Sequence, residues 1–97
     1  MDTHTLRGHR AWVTACAVSA DGGTGLSASD DRTLIVWDLA SGAPRRVLYG
    51  HEDGVSGCAV SADGGIGLSA SHDRTLNVWD LASDAGSRST QHLTLAP

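Results

Sequence analysis

The chain contains one segment twice. A Gly-His pair near the start of the segment and a Trp-Asp pair near its end each recur 42 residues later, as Gly8-His9 and Gly50-His51, and as Trp37-Asp38 and Trp79-Asp80. When residues 8–43 are aligned with residues 50–85, 27 of the 36 positions are identical. Both copies must therefore fold in the same way, and both need the same kind of neighbour to bury their apolar side chains.

A period near 40 residues, with Gly-His near the start and Trp-Asp near the end, is typical of one blade of a β-propeller. A blade cannot bury both of its faces alone, so blades stack around a closed ring. Two blades are too few for a ring. We therefore predict an all-β fold with two four-stranded antiparallel blades per chain, which completes a β-propeller by head-to-tail homo-oligomerisation. Three chains give six blades and four give eight, and we favour the tetramer.

Composition narrows the class of protein. The net charge is −4, and all seven cationic residues are arginines scattered along the chain, so nothing resembles the basic stripe of a nucleic-acid reader. Residues 1–4 lack the charged and apolar regions of a signal peptide, and no apolar run reaches the length of a membrane span. We expect a cytoplasmic protein that binds neither nucleic acid nor membranes.

Turn-forming residues divide each copy into short strands, notably Asp-Gly-Gly at 21–23 and Asp-Asp-Arg at 30–32. The predicted strands are residues 13–19, 25–29, 33–38, 46–49, 55–61, 67–71 and 75–80. The predicted organisation is an outer strand that completes a neighbouring blade (1–7), a first repeat (8–49), a second repeat (50–84), and a polar linker with a short C-terminal strand (85–97). Residues 91–96 are the alternative occupant of the outer position in the last blade.

The shared residues resemble the WD-repeat family. Each copy has Gly-His, Cys-Ala-Val-Ser-Ala-Asp-Gly, Ser-Ala-Ser-x-Asp-Arg-Thr-Leu and Val-Trp-Asp in that order, and the resemblance covers about 80 residues. Valine and alanine stand where the family usually has the Phe and Pro of Phe-Ser-Pro-Asp-Gly. The resemblance implies a hydrogen-bonded set of His, Ser or Thr, Asp and Trp in each blade. Its members would be His9, Ser27 or Ser29, Asp31 and Trp37, and then His51, Ser69 or Ser71, Asp73 and Trp79.

The same residue types form a hydrolase triad in other proteins. Here the set occurs identically in both copies, and nothing marks an array of oxyanion donors, so we predict a structural role and no enzymatic activity. No Cys-x-x-Cys pair or carboxylate cluster indicates a metal site, and no cofactor is expected. Cys16 and Cys58 occupy equivalent positions among small apolar residues, and we predict that both are buried free thiols.

The two copies differ at nine positions, which are not needed to form the blade. They are positions 10, 11, 12, 14, 15, 24, 30, 35 and 42 and their partners. By the family resemblance, three of these pairs face the partner-binding side: Trp12 and Gly54, Thr14 and Ser56, and Asp30 and His72. Trp12 is either an exposed anchor for a partner or a side chain that packs over a neighbouring loop. Ile35 and Asn77 are expected at an exposed strand position.

Two functions remain open at this stage. The first is a non-enzymatic scaffold that self-assembles into a closed propeller and binds an unknown protein or peptide through one face. The alternative is a purely structural blade pair, designed or truncated, with no partner beyond itself.

Overall fold

The computed structural model describes residues 5–81 and 89–94. The strands of the first sheet are β1 (Val13–Val18), β2 (Thr24–Ser29), β3 (Leu34–Asp38) and β4 (Ala43–Leu48). Those of the second are β5 (Val55–Val60), β6 (Ile66–Ser71), β7 (Thr75–Asp80) and β8 (Ser89–Thr94). Each sheet is antiparallel with its strands in chain order, so the predicted four-stranded blades are present in the single chain.

The turns of the two copies adopt matching backbone geometry. Gly22 and Gly64 have φ of 75° and 78°, in the left-handed region that glycine enters without steric cost. Arg32 and Arg74 also lie there, with φ of 75° and 71°, in the turns that carry Asp31 and Asp73. Because a side chain at positive φ is disfavoured, the hydrogen bonds around these aspartates must hold the turns in place.

The predicted strand bounds agree with the structure to within one residue, except in the fourth strand and in the C-terminal strand, which is Ser89–Thr94 where residues 91–96 were predicted. Residues 95 and 96 lie outside the described part of the chain. The fourth strand begins at Ala43 and includes Pro44, whereas the predicted strand is residues 46–49. Proline is compatible with the outermost strand of a sheet because its missing N–H would otherwise point to solvent. The pairing of β3 with β4 shifts register between Val36 and Trp37, next to the Pro44 position.

Each blade has two faces, which we define by strand register. The front face of blade 1 carries Val13, Cys16, Val18, Ser27 and Trp37, and that of blade 2 carries the equivalent Val55, Cys58, Val60, Ser69 and Trp79. The back face of blade 1 carries Ala15, Leu26, Ala28, Leu34 and Val36, and that of blade 2 carries Gly57, Leu68, Ala70, Leu76 and Val78.

The apolar core lies between the blades. The back face of blade 1 packs on the front face of blade 2, and β5 is the strand that contacts β1 and β2. The buried members are Leu26, Ala28, Leu34, Val36, Leu48, Val55, Trp79 and Leu81, with Ala15, Cys58 and Val60 partly buried against them. Burial of such side chains contributes about 1.5–3 kcal/mol each, so this internal junction is the main apolar support of the chain.

Two burial predictions are wrong. Cys16 and Cys58 are both free, and Cys16 is exposed because the front face of blade 1 has no blade against it. Cys58 lies at the internal junction but is only half-buried there. Ile35 and Asn77 are buried, not exposed. The Gly-His segments cover them: a Cβ on Gly8 would lie 3.0 Å from Ile35 Cδ1, and one on Gly50 3.3 Å from Asn77 Nδ2.

The ends of the chain bear on the predicted strand exchange. In the single chain, residues 5–7 form no strand, and the outer position of blade 2 is taken by β8, the alternative that the sequence left open. Insertion of residues 1–7 into a neighbouring blade stays a prediction, of which residues 1–4 lie outside the described part. Within the described ranges, no helix is long and apolar enough to cross a membrane.

Candidate functional site

A chain of hydrogen bonds connects four elements of blade 1. His9 Nε2 lies 2.7 Å from Ser27 Oγ, and His9 Nδ1 lies 3.1 Å from Asp31 Oδ2. Trp37 Nε1 donates to the same Ser27 Oγ at 2.8 Å. The Gly-His segment, β2, the β2–β3 turn and β3 are thereby tied together by side chains alone.

Blade 2 repeats this cluster. His51 Nε2 lies 2.6 Å from Ser69 Oγ, its Nδ1 lies 3.1 Å from Asp73 Oδ2, and Trp79 Nε1 donates to Ser69 Oγ at 2.8 Å. The clusters therefore contain the first serine of each candidate pair. The second serine of each pair binds the backbone of the following turn instead. Ser29 Oγ accepts the N–H of Asp31 at 3.0 Å, and Ser71 Oγ accepts that of Asp73 at 3.1 Å.

Proton placement in the cluster follows from its donors. The indole N–H can only donate, so Ser27 Oγ accepts from Trp37 and directs its own hydrogen to His9 Nε2. Neutral His9 then carries its proton on Nδ1 and donates it to Asp31. The connectivity is that of a hydrolase triad, but the serine oxygen also accepts the indole N–H, and the same set occurs in both blades. The geometry supports a structural role.

The aspartates of the clusters are held in the ionised form. Burial raises the pKa of Asp31, but hydrogen bonds from the Thr33 hydroxyl, the Arg10 N–H and His9 outweigh it and lower the pKa to about 2. The pKa of Asp73 is lowered by the equivalent bonds from Thr75, Glu52 and His51 against the same effect of burial. Each carboxylate also accepts a second backbone N–H, which fixes the strained turn that carries it.

The six predicted partner-binding residues lie at one end of the sheets, where β1 and β5 begin and β2 and β6 end. Within the blades, Asp30 N donates to Trp12 O at 3.0 Å, and His72 N donates to Gly54 O at 3.1 Å. Trp12, Asp30, His72 and Ser56 are exposed, whereas Gly54 is buried at the internal junction. The structure thus brings these residues to one edge, as two equivalent groups of three: Trp12, Thr14 and Asp30, and Gly54, Ser56 and His72.

Part of this edge belongs to the internal junction. The Thr14 hydroxyl donates to Val55 O, and Ala20 N donates to Ala62 O at 3.1 Å near the opposite end of the strands. Between them, Cys58 Sγ lies 3.7 Å from Leu26 O. The junction therefore combines apolar packing with hydrogen bonds along its full length.

The two outer faces of the blade pair, the front face of blade 1 and the back face of blade 2, have no blade against them in the single chain. The front face of blade 1 is an open groove of about 260 Å³ that Val13, Cys16 and Val18 help to line. The back face of blade 2 is an open groove of about 240 Å³ lined in part by Leu68 and Leu76. The equivalent faces, the front face of blade 2 and the back face of blade 1, pack against each other at the internal junction. Sequence analysis predicted head-to-tail association but did not identify which side chains form the two outer faces, since that requires the strand register.

Among the described residues, no group of three or more His, Cys, Asp or Glu side chains is placed to hold a metal ion. The ligand-competent side chains at the clusters are already engaged with one another. Chemically, the molecule therefore offers two structural polar clusters, two apolar faces and one edge with exposed polar and aromatic residues.

Comparison with known proteins accounts for both repeats. The sequence profile of the WD domain, G-beta repeat, matches residues 2–38 and 42–80. MST50-interacting protein 11 of Pyricularia oryzae is 48% identical over 42 residues, which cover 43% of this chain and 13% of that protein. Vegetative incompatibility protein HET-E-1 of Podospora anserina is 52% identical over 40 residues, or 41% of this chain and 3% of that protein. Small ribosomal subunit protein RACK1 of Caenorhabditis elegans is 50% identical over 44 residues, or 43% and 14%.

The chain spans only 3% to 14% of the length of these three relatives. WD-repeat proteins are generally non-enzymatic scaffolds for protein–protein interaction. Each matched segment ends at the Trp-Asp pair of one copy: the first contains β1 to β3, and the second contains β4 to β7. The chain belongs to the WD domain, G-beta repeat (WD40) family.

Proposed function

We propose that this chain is a non-enzymatic scaffold which associates head to tail into a closed propeller and presents one edge of its blades to a protein or peptide. The observation that carries the proposal is the close similarity of the two outer faces to the two halves of the internal junction, with Gly57 on the back face of blade 2 where blade 1 has Ala15. Val13 and Val18 repeat Val55 and Val60, and Leu68 repeats Leu26.

Exposure of the outer faces supports association. Val13 and Val18 on one end and Ile66 and Leu68 on the other are exposed large apolar side chains. Contiguous apolar surface of this kind marks association sites on soluble proteins. The back face of blade 2 in a second copy resembles the back face of blade 1, which already packs on a front face inside the chain. The back face of that second copy can therefore pack on the exposed front face of blade 1. Repetition of one such contact by rotation closes into a ring, and two blades per chain give six or eight blades.

Native mass spectrometry, with light scattering on a sizing column, tests the assembly. The proposal predicts one dominant closed species, a trimer or a tetramer, and favours the tetramer. A folded monomer at every concentration would contradict self-association. Capture of other WD repeats in preference to a second copy would contradict the identity of the proposed neighbour.

The partner-binding edge is tested separately. Asp30 and Ser56 are exposed there, one in each blade, and their side chains are available to a ligand. We expect peptides selected by display on the assembled protein to lose at least tenfold in affinity when Asp30 and Ser56 are both replaced by alanine. Arg45→Ala, an exposed change on the outer strand β4, is the matched control and should leave affinity unchanged. Equal loss in both variants, or loss in neither, would contradict this edge as the binding site.

A further inference from the structure

The internal junction brings together two positions at which the copies differ. A Cβ placed on Gly54 would lie 2.9 Å from Asp30 Oδ1 and 3.4 Å from Asp30 Cα. Position 54 of one blade therefore sits directly against position 30 of the preceding blade. In a head-to-tail contact between two copies, the equivalent positions are 12 and 72, which hold tryptophan and histidine in place of glycine and aspartate.

We propose that Trp12 of one copy packs against His72 of the next, so that the junction between chains differs chemically from the junction within the chain. The inference rests on the proposed self-association and assigns one of its two surfaces to a specific contact. Trp12 was predicted to be either an exposed anchor for a partner or a side chain that packs over a neighbouring loop. The inference selects the second role and places that loop in another copy of the chain.

The geometry of the internal junction shows what a Cβ at position 54 would meet. The 3.4 Å approach to the backbone of residue 30 is ordinary van der Waals contact, whereas the 2.9 Å approach involves only the end of the Asp30 side chain. A Cβ at this position therefore requires the opposite side chain to turn aside but leaves the backbone spacing unchanged. His72 is exposed, and in the described part of the chain its side chain makes no hydrogen bond that would oppose this movement.

Trp12 and His72 are chemically suited to contact each other. An indole prefers an aromatic ring at its edge or face, and a protonated imidazole is attracted to the face of the indole ring. A carboxylate at position 72 would meet the electron-rich face of Trp12 and lose hydration without gaining a partner. Trp12 is 83% exposed in the single chain, so most of its apolar area is available to be buried by a neighbour.

The arrangement has a consequence for assembly. Each ring would alternate Gly–Asp contacts within chains and Trp–His contacts between chains. The two kinds of junction differ in side-chain volume at this contact, since position 54 is glycine and position 12 is tryptophan. The front face of blade 1 is thereby adapted to the back face of blade 2 of another copy.

A double-mutant cycle on the full chain tests the contact. The variants are Trp12→Gly, His72→Asp and the two together, which converts the closing pair into the internal pair. We expect Trp12→Gly to weaken association by about 30-fold, as for an aromatic side chain that is buried in an interface. His72→Asp should weaken it by about tenfold, and the double variant should bind more tightly than the product of the two effects predicts.

Two further measurements make the test decisive. Hydroxyl-radical footprinting of the wild-type chain should show at least fivefold protection of Trp12 in the assembly relative to dilute monomer. Tyr49→Ala, which removes another exposed aromatic, is the control and should leave association unchanged. Association with additive effects or an unprotected Trp12 would overturn this inference alone. A wild-type chain that never associates would overturn the proposed self-assembly and this contact with it.

Discussion

The two blades have nearly the same sequence but different surroundings, and the difference shows which interactions belong to a blade and which to its neighbours. Leu26 is 1% exposed and its equivalent Leu68 is 38% exposed. Val55 is 0% exposed and its equivalent Val13 is 58% exposed. The buried member of each pair lies at the internal junction. Apolar burial in this fold is therefore a property of a pair of blades.

The polar clusters behave in the opposite way. Both contain the same bonds at nearly the same distances, although only blade 2 has a blade against its front face. The bonds within a cluster therefore do not require a blade against the front face. Changes to the clusters and changes to the faces should accordingly have different effects in the two blades.

The largest expected difference is between Leu26→Ala and Leu68→Ala. Leu26→Ala opens a cavity in the internal junction and should lower the free energy of unfolding by about 2–5 kcal/mol. Leu68→Ala should cost less than about 1 kcal/mol in dilute monomer, because much of the side chain is already in water, but should weaken association. Urea denaturation at low protein concentration measures the first effect and native mass spectrometry the second. Equal destabilisation of the monomer would contradict the contrast between the two faces.

The clusters are tested by Ser69→Ala. This change leaves two buried groups without a partner, the Trp79 N–H and His51 Nε2, and each such loss costs about 1–3 kcal/mol. Ser29→Ala is the control, since it removes the acceptor of a single backbone N–H, that of Asp31. We expect denaturation to show a larger loss for Ser69→Ala. A larger loss for Ser29→Ala would contradict the assignment of Ser69 to the cluster.

Replacing the residue at position 77 of blade 2 by its equivalent in blade 1 should stabilise the protein. Asn77 is fully buried, and neither its Nδ2 nor its Oδ1 has a hydrogen-bond partner among the described residues, whereas blade 1 has Ile35 there. Asn77→Ile removes two unsatisfied polar atoms and should raise the free energy of unfolding by about 1–2 kcal/mol. Asn77→Ala, which leaves a cavity, is the control for volume. A destabilised isoleucine variant would show that the amide has a partner.

Acid should weaken the clusters. The pKa of Asp31 is lowered from an ordinary 3.8 to about 2, and that of Asp73 is also lowered, so their stabilisation is complete above about pH 4 and is lost as the pH falls toward 2. The free energy of unfolding, measured from pH 6 to 2, should decrease between about pH 4 and 2. Asp31→Asn with Asp73→Asn should reduce the slope, and an unchanged slope would contradict this account of the clusters. The slope that remains comes from the turn residues Asp21 and Asp63, whose pKa values are lowered as well.

The smallest effect concerns thiol chemistry. Burial, with a smaller contribution from Cys16, raises the pKa of Cys58 to about 11, whereas Cys16 is exposed on the open face. Since the thiolate is the reactive form, labelling at about pH 8 should modify Cys16 well before Cys58. Peptide mapping after short exposure separates them. Slow labelling of Cys16 in dilute monomer would contradict the open front face, while protection that appears on assembly would support the junction between chains.

Sequence predicted the strands because alternation and turn residues are local, and the resemblance predicted the clusters because their members recur at fixed spacing. It could not choose between Ser27 and Ser29, which lie two residues apart on one face and differ only in their distance from Trp37. It was wrong about Ile35 and Asn77, since their burial comes from the Gly-His segment folding over the sheet. It was wrong about Cys16, since that burial requires another blade.

The central claim is that the two outer faces are complementary, and two blocked variants test it most directly. Val13→Arg places a charge on the front face of blade 1, and Leu68→Arg places one on the back face of blade 2, both at exposed positions. Each variant keeps one intact face, so in native mass spectrometry each should be a monomer alone, and an equimolar mixture should give a 1:1 dimer and nothing larger. Self-association of either variant alone, or a mixture that stays monomeric while the wild-type chain assembles, would contradict the account.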